Sequence, residues 1–99
     1  MTSWQQDMAL NFPNVSRNYD SKKNRVQFWG YDGPIEVSFF VSADVLQKLG
    51  RLSLEAADIE ARVLSVFDAA RERIHKVAGK VYGRGRNGDY VHYLSATDF

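Results

Sequence analysis

Several residue types are missing or scarce in this 99-residue sequence, and each absence narrows what the protein does. There is no cysteine, which excludes disulfides, thiolate metal sites, iron–sulfur clusters and cysteine nucleophiles. No apolar run approaches the roughly 18 residues that a membrane span needs. The formal net charge is only +1, so no strong overall field attracts nucleic acid or a membrane surface.

The apolar content is nevertheless sufficient for one core. Hydrophobic residues make up 44% of the sequence and aromatic residues 13%. We therefore expect a single domain over residues 9–99, preceded by a loose extension over residues 1–8. That extension lacks the basic start and apolar run of a signal peptide, and a cysteine-free chain suits a reducing compartment. We expect a cytoplasmic protein.

Alternating apolar and polar residues predict the strands. Two alternating runs joined by an Asp-Gly turn predict a β-hairpin over about residues 25–41. Residues 89–94 alternate in the same way and predict a strand that returns to the sheet. Leu10–Phe12 is a candidate short edge strand before a proline, whereas the polar stretch Asn14–Asn24 predicts a loop.

Helical periodicity dominates the middle of the chain. Ser42 is placed to cap a short helix over about residues 43–49. Apolar residues then recur at steps of three and four, which predicts one long amphipathic helix over about residues 54–82. Within it, Gly79 indicates a close helix–sheet contact. The predicted fold is a two-layer α+β domain, in which an antiparallel sheet of three or four strands packs both helices on one face.

A family resemblance rests on four stretches taken together. These are Asn11–Asn14 through Tyr19–Asp20, Val26–Ser42, Phe67–Ile74, and Tyr82–Arg86 through Asp98–Phe99. In order and spacing they resemble a family of short bacterial proteins catalogued as domain of unknown function 1488, over about residues 9–99. The sequence departs from that pattern mainly in its extra N-terminal residues. The resemblance implies a compact bacterial α+β protein and brings no activity, substrate or catalytic residue with it.

The hairpin is aromatic on both faces, which leads to the first functional hypothesis. Trp29 and Phe40 face away from the side expected to pack on the long helix, and Tyr31 lies beside them. Such rings form either a second core layer or a protein–protein surface. We expect a non-enzymatic interaction or regulatory module that binds an unidentified protein or a second copy of the chain.

Local positive charge supports a second hypothesis, a small nucleic-acid-binding protein. The basic side chains at the end of the long helix and in the following loop are Arg71, Arg73, Lys76, Lys80, Arg84 and Arg86. Aromatic rings beside arginines can stack on unpaired bases while the guanidinium groups hold phosphates. The alternative is a solvated helix face, and a near-neutral domain favours that alternative.

The third hypothesis is a ligand-binding or enzymatic domain around His92, Asp89 and Tyr90. His75 and His92 are the only histidines, and nothing in the sequence brings them together. The run from Gly83 to Gly88 spells a dinucleotide fingerprint, but it follows a helix and precedes a strand, the reverse of the required order. We therefore expect no catalytic constellation, no metal site and no cofactor.

Overall fold

The computed structural model describes residues 10–13, 15–50, 58–84 and 90–99. The elements in chain order are the strands β1 (Arg17–Asp20), β2 (Arg25–Asp32) and β3 (Ile35–Ser42), the helices α1 (Ala43–Gly50), α2 (Ile59–Ala69) and α3 (Arg71–Arg84), the strand β4 (Val91–Leu94) and a 3-10 turn (Ala96–Asp98). This is the α+β fold that the sequence pattern predicts. The predicted extension over residues 1–8 and the predicted helical residues 54–57 lie outside the described residues.

The sheet has the strand order β1-β2-β3-β4. β1 pairs with β2, and β2 with β3, in antiparallel fashion, whereas β4 lies parallel to β3. The last pairing differs from the predicted antiparallel sheet. It arises because the helices between β3 and β4 return the chain to the end of the sheet at which β3 begins, and a helical crossover joins parallel strands.

The predicted hairpin is confirmed as β2 and β3. Asp32 pairs with Ile35, so Gly33 and Pro34 alone form the loop. Gly33 has a φ of 61°, and the ring of Pro34 holds its own φ negative. Positive φ at the first loop position only is the pattern of a type II′ turn, whose twist suits a tight hairpin.

The segment predicted as a loop contains the edge strand β1. Its sequence, Arg-Asn-Tyr-Asp, is too polar to signal a strand, yet its four residues pair with Arg25–Phe28. The strand expected at Leu10–Phe12 is reduced to one bridge, in which Asn11 and Tyr31 exchange backbone hydrogen bonds of 2.8 and 2.7 Å. The edge strand thus lies within the segment predicted as a loop, at Arg17–Asp20, and not at Leu10–Phe12.

Ser42 caps α1 as predicted, because its Oγ accepts a hydrogen bond from the Val45 N–H at 3.2 Å. The predicted long helix is instead two consecutive helices, α2 and α3, which meet at Ala70. Ala70 has φ −103° and ψ 15°, outside the helical range, although its N–H still bonds to the Val66 carbonyl at 3.0 Å. No glycine or proline marks this break, so the sequence contains no local signal for it.

The three helices that the structure describes pack on one face of the sheet. Phe28, Phe39, Phe67 and Ile74 are among the largest fully buried side chains, and they join β2 and β3 to α2 and α3. Gly79 does not make the predicted close contact, since a Cβ there would meet nothing within 4 Å. Its neighbour Ala78 faces the core instead. None of the helices in the described ranges is long and apolar enough to cross a membrane.

Candidate interaction surface

The side of the sheet away from the helices is called the open face below. Strand register places there Trp29 and Tyr31 from β2, Phe40 from β3, and Val91 and Tyr93 from β4. The three predicted surface residues, Trp29, Tyr31 and Phe40, therefore lie on one side, and β4 adds two more apolar side chains. No helix in the described part of the chain covers this side, because the helices contact the opposite face.

Phe40 and Tyr93 form a pair of rings at the β3–β4 side of the open face. They are cross-strand neighbours whose rings stack with centroids 5.2 Å apart. The guanidinium carbon of Arg25 lies 3.9 Å from the Phe40 ring centroid and 5.7 Å from that of Tyr93. Arg25 also pairs with Asp20 at 3.4 Å. Phe40, Tyr93 and Arg25 therefore form an amphipathic stripe, in which one positive charge lies over two stacked rings.

This stripe ends on β4, which is an exposed edge strand of the sheet. Tyr93 is 62% exposed and Val91 is 51% exposed, and the sequence of β4, Val-His-Tyr-Leu, has no acidic, lysine or arginine side chain. Natural sheet edges are usually protected by charges, proline or a covering element. Exposed apolar side chains on an uncharged edge strand indicate a place where another chain binds.

The opposite edge of the sheet is protected in this usual way. Arg17 and Asp20 place charges of both signs on β1. Arg17 also forms a bidentate pair with Asp68 of α2, with an Nε–Oδ1 distance of 3.0 Å and an Nη2–Oδ2 distance of 2.8 Å. Asp68 accepts a further bond of 2.6 Å from Arg71, and these hydrogen bonds, that from Arg17 first, hold the pKa of Asp68 below its usual value.

The predicted basic cluster is divided by the fold. Arg71 turns inward, where it binds Asp68 and lies 5.1 Å over the Phe67 ring. Arg73, Lys76 and Lys80 are exposed on the other flank of α3, and Arg73 lies 5.8 Å over the ring of Phe99. Arg86 and the side chain of Arg84 lie outside the described residues. Only three of the six predicted cations are thus described as a common surface row.

His92 and Tyr90 line neither of two cavities that described residues form. These cavities, of about 670 and 610 Å³, lie beside Tyr19 and Leu64 and beside Phe12 and Tyr31. His92 is buried between Phe39 and Tyr82, at centroid distances of 5.6 Å to each ring. Asp89 lies outside the described residues.

The polar contact that sequence reasoning missed is between Tyr82 and Asp32. The Tyr82 hydroxyl donates to the Asp32 carboxylate at 2.5 Å, and this hydrogen bond, with some burial, raises the pKa of Tyr82 to about 12. A hydroxyl with that pKa is a poor general acid or base at neutral pH. This hydrogen bond joins the end of β2 to α3. Its partners are 50 residues apart in sequence, so no local sequence pattern predicts it.

The two histidines lie in separate environments. His75 stacks on Phe12 with ring centroids 4.0 Å apart and also approaches Phe28, at 5.8 Å. Burial, together with the positive charge of Arg71, lowers the pKa of His75 to about 4. No group of three histidine, aspartate or glutamate side chains within the described ranges is arranged to hold a metal ion.

These features define a small two-layer α+β protein with helices on one side of the sheet and, on the other, an aromatic surface that no described helix covers. The chain belongs to the family of proteins of unknown function called DUF1488, whose family model matches residues 10–93. A crystal structure of a DUF1488 protein of unknown function from Shewanella loihica PV-4 is similar to it, with a TM-score of 0.67 and 15% sequence identity over 85% of this chain and 90% of that one. At that identity the likeness shows the fold alone. A search of curated proteins found no match.

Proposed function

We propose that this protein is a non-enzymatic interaction module that binds a protein partner through its open face. The observation that supports this is the stacked pair of Phe40 and Tyr93, crossed by Arg25, on the side of the sheet opposite the helices. Tyrosine, tryptophan and arginine supply most of the binding energy at protein interfaces. The open face offers all three residue types within one sheet surface.

The exposure of this surface supports an interface over a second core layer. An antiparallel sheet that faces water on one side normally alternates apolar residues inward with polar residues outward. Here the outward positions of neighbouring strands carry Phe40, Tyr93 and Val91, and the last two are more than half exposed. Burying apolar side chains against a partner contributes about 25 cal/mol of favourable binding free energy per Å² of apolar area, so covering this surface favours binding.

A capture experiment with matched variants tests the proposal. The immobilised wild type is compared with Tyr93→Lys, which places a charge on the open face, and with Val15→Lys, which places the same charge on a 70% exposed apolar residue ahead of β1. We expect a partner that wild type and Val15→Lys both retain and that Tyr93→Lys loses. Titration of the purified partner should then show binding at least about thirtyfold weaker for Tyr93→Lys.

The same variants test whether the partner is a second copy. Light scattering after size exclusion measures the mass of each variant in solution, and circular dichroism confirms that each one folds. A dimer that Tyr93→Lys dissociates and Val15→Lys preserves identifies a second copy as the partner. Equal capture and equal mass for all three proteins contradict the proposal.

A further inference from the structure

We propose that the outer edge of β4 binds an extended, acidic segment of a partner protein, which adds to the sheet as a fifth strand and pairs its carboxylates with α3. The inference rests on the proposed function, because it names the chemistry of a partner at the same surface. It depends on three features of the described residues: the direction of the β4 backbone groups, the exposure of its side chains, and the position of three cations on α3.

The backbone of β4 presents hydrogen-bonding groups to its outer side. The Tyr90 carbonyl accepts a bond of 2.8 Å from the Ser38 N–H, so this residue directs its groups toward β3. Successive residues of a strand direct them to alternate sides. Val91 and Tyr93 therefore direct their N–H and C=O groups away from β3, where an added strand can pair with them.

A row of cations stands above this edge on the helix side. α3 lies over β4, and one flank of the helix faces the inner strands, since His75 stacks on Phe12 and Tyr82 bonds to Asp32. The basic row, Arg73, Lys76 and Lys80, occupies the opposite flank and so faces the outer edge. All three side chains are exposed, and none forms an ion pair within the described ranges.

The outer edge of β4 and the basic row on α3 together specify the sequence pattern of the added strand. Its side chains point alternately to the two faces of the sheet. Those on the open face meet Val91 and Tyr93, which favours apolar residues. Those on the helix side meet the basic row, which favours aspartate or glutamate. The complementary segment thus alternates acidic and apolar residues.

A second copy of the chain and nucleic acid are the two other candidates for this edge, and charge argues against the first of them. If a second copy paired its β4 antiparallel to this one across a two-fold axis, the two basic rows would come to the same side of the joint, and like charges would oppose binding. Nucleic acid matches the cations, but its phosphates accept hydrogen bonds only. A peptide backbone supplies donors and acceptors at the regular spacing of the outward N–H and C=O groups of Val91 and Tyr93.

The probe is a synthetic peptide of about eight residues that alternates glutamate with valine, with blocked termini and a fluorescent label. A peptide that alternates lysine with valine is the charge control. Two N-methylated forms, one methylated at every valine and one at every glutamate, test backbone pairing. An antiparallel pair uses the valine N–H groups opposite Val91 and Tyr93, and a parallel pair uses the other set, so only one of the two forms should lose binding.

Two charge-reversal variants distinguish a local effect of the basic row from a general effect of the protein's net charge. Lys76→Glu/Lys80→Glu removes two cations of the row, and Lys22→Glu/Lys23→Glu makes the same charge change on the exposed turn between β1 and β2. Fluorescence polarisation with the glutamate peptide should show binding weakened at least about tenfold by the first variant and less than about threefold by the second. Added salt should weaken wild-type binding as well.

The outcomes are distinct. Selective binding of the glutamate peptide, lost on one pattern of N-methylation and in Lys76→Glu/Lys80→Glu, supports the inference. Equal binding of the lysine peptide, or binding that neither N-methylated form changes, overturns it. Tighter binding of a single-stranded oligonucleotide reassigns the edge to nucleic acid, and a dimer that the peptide cannot displace reassigns it to a second copy. If peptide binding fails while a Tyr93-dependent partner is captured, the inference falls and the proposed function stands.

Discussion

Acid should destabilise this protein through His75, at a pH above that at which most carboxylates titrate. The folded state holds the pKa of His75 at about 4, whereas the ordinary value is 6.5, because the ring is packed against Phe12 and Phe28 and lies near the charge of Arg71. As the pH falls below 6.5 the unfolded chain binds a proton that the folded chain does not bind. Stability is therefore fully present above that pH and declines until the pH reaches about 4.

The size of this loss follows from the difference between the two pKa values. The full difference corresponds to about 3 kcal/mol. Water still reaches a half-buried ring and screens its charge, so we expect a loss of about 1.5 kcal/mol. In a domain of this size that lowers the melting temperature by about 6–12 °C.

The assay is urea denaturation across the pH range, for the wild type and for His75→Phe. Phenylalanine keeps an aromatic ring on Phe12 but cannot take up a proton, and every other titratable side chain is the same in both proteins. The free energy of unfolding of the wild type should therefore fall more steeply between pH 6.5 and about 4 than that of His75→Phe. Parallel curves for the two proteins would refute the assignment of the acid sensitivity to His75.

Gly50→Ala should lower the free energy of unfolding by about 2 kcal/mol in urea denaturation, because the new Cβ would lie 2.7 and 2.8 Å from the two methyl carbons of Val66, whose χ1 is stiff. Val66→Ala removes the two methyl carbons that clash, so Gly50→Ala should cost much less stability when it is added to Val66→Ala than when it is added to the wild type. An equal cost in both backgrounds would contradict the packing explanation. Gly79→Ala should instead stabilise by up to about 1 kcal/mol, since its Cβ meets nothing and alanine favours the helix; a loss of stability there would show a contact that the structure lacks. Asp68→Ala should cost about 1 kcal/mol at low salt and less at high salt, because it removes the partly exposed bidentate pair with Arg17; a loss independent of salt would rule out an electrostatic cause.

Local signals account for the parts of the fold that the sequence predicts well. Two alternating runs around a turn predict the hairpin, although the loop is Gly33-Pro34, one residue later than the predicted Asp-Gly centre. Ser42 likewise predicts the start of α1, where it accepts the capping bond from Val45. The parts that differ depend on contacts between distant residues. β1 is held by its pairing with β2 and by the bond between Arg17 and Asp68, which lie 51 residues apart. Its own polar sequence gives no reason to extend.

The same distinction applies to the candidate surface. Alternation alone places Trp29 and Phe40 on the side away from the core. Val91 and Tyr93 also alternate with buried residues, but their membership of the open face requires that β4 lie beside β3, and alternation does not identify a neighbour. The basic residues show the converse, because residues that are close in sequence lie in different places in the fold. Arg71 and Arg73 are close in sequence, yet the phase of α3 turns Arg71 toward Asp68 and leaves Arg73 on the outer flank.

The open face follows from the order of the elements, whereas its aromatic character does not. Once β1, β2 and β3 have formed as adjacent antiparallel strands, all the helices that the structure describes lie between β3 and β4, in one crossover. A crossover keeps to one side of a sheet, so none of the helices in this crossover covers the other side. Polar residues at Phe40 and Tyr93 would satisfy that topology equally well and would keep the sheet soluble. Because the fold does not require rings there, their presence is the feature of this chain that argues most directly for a binding partner.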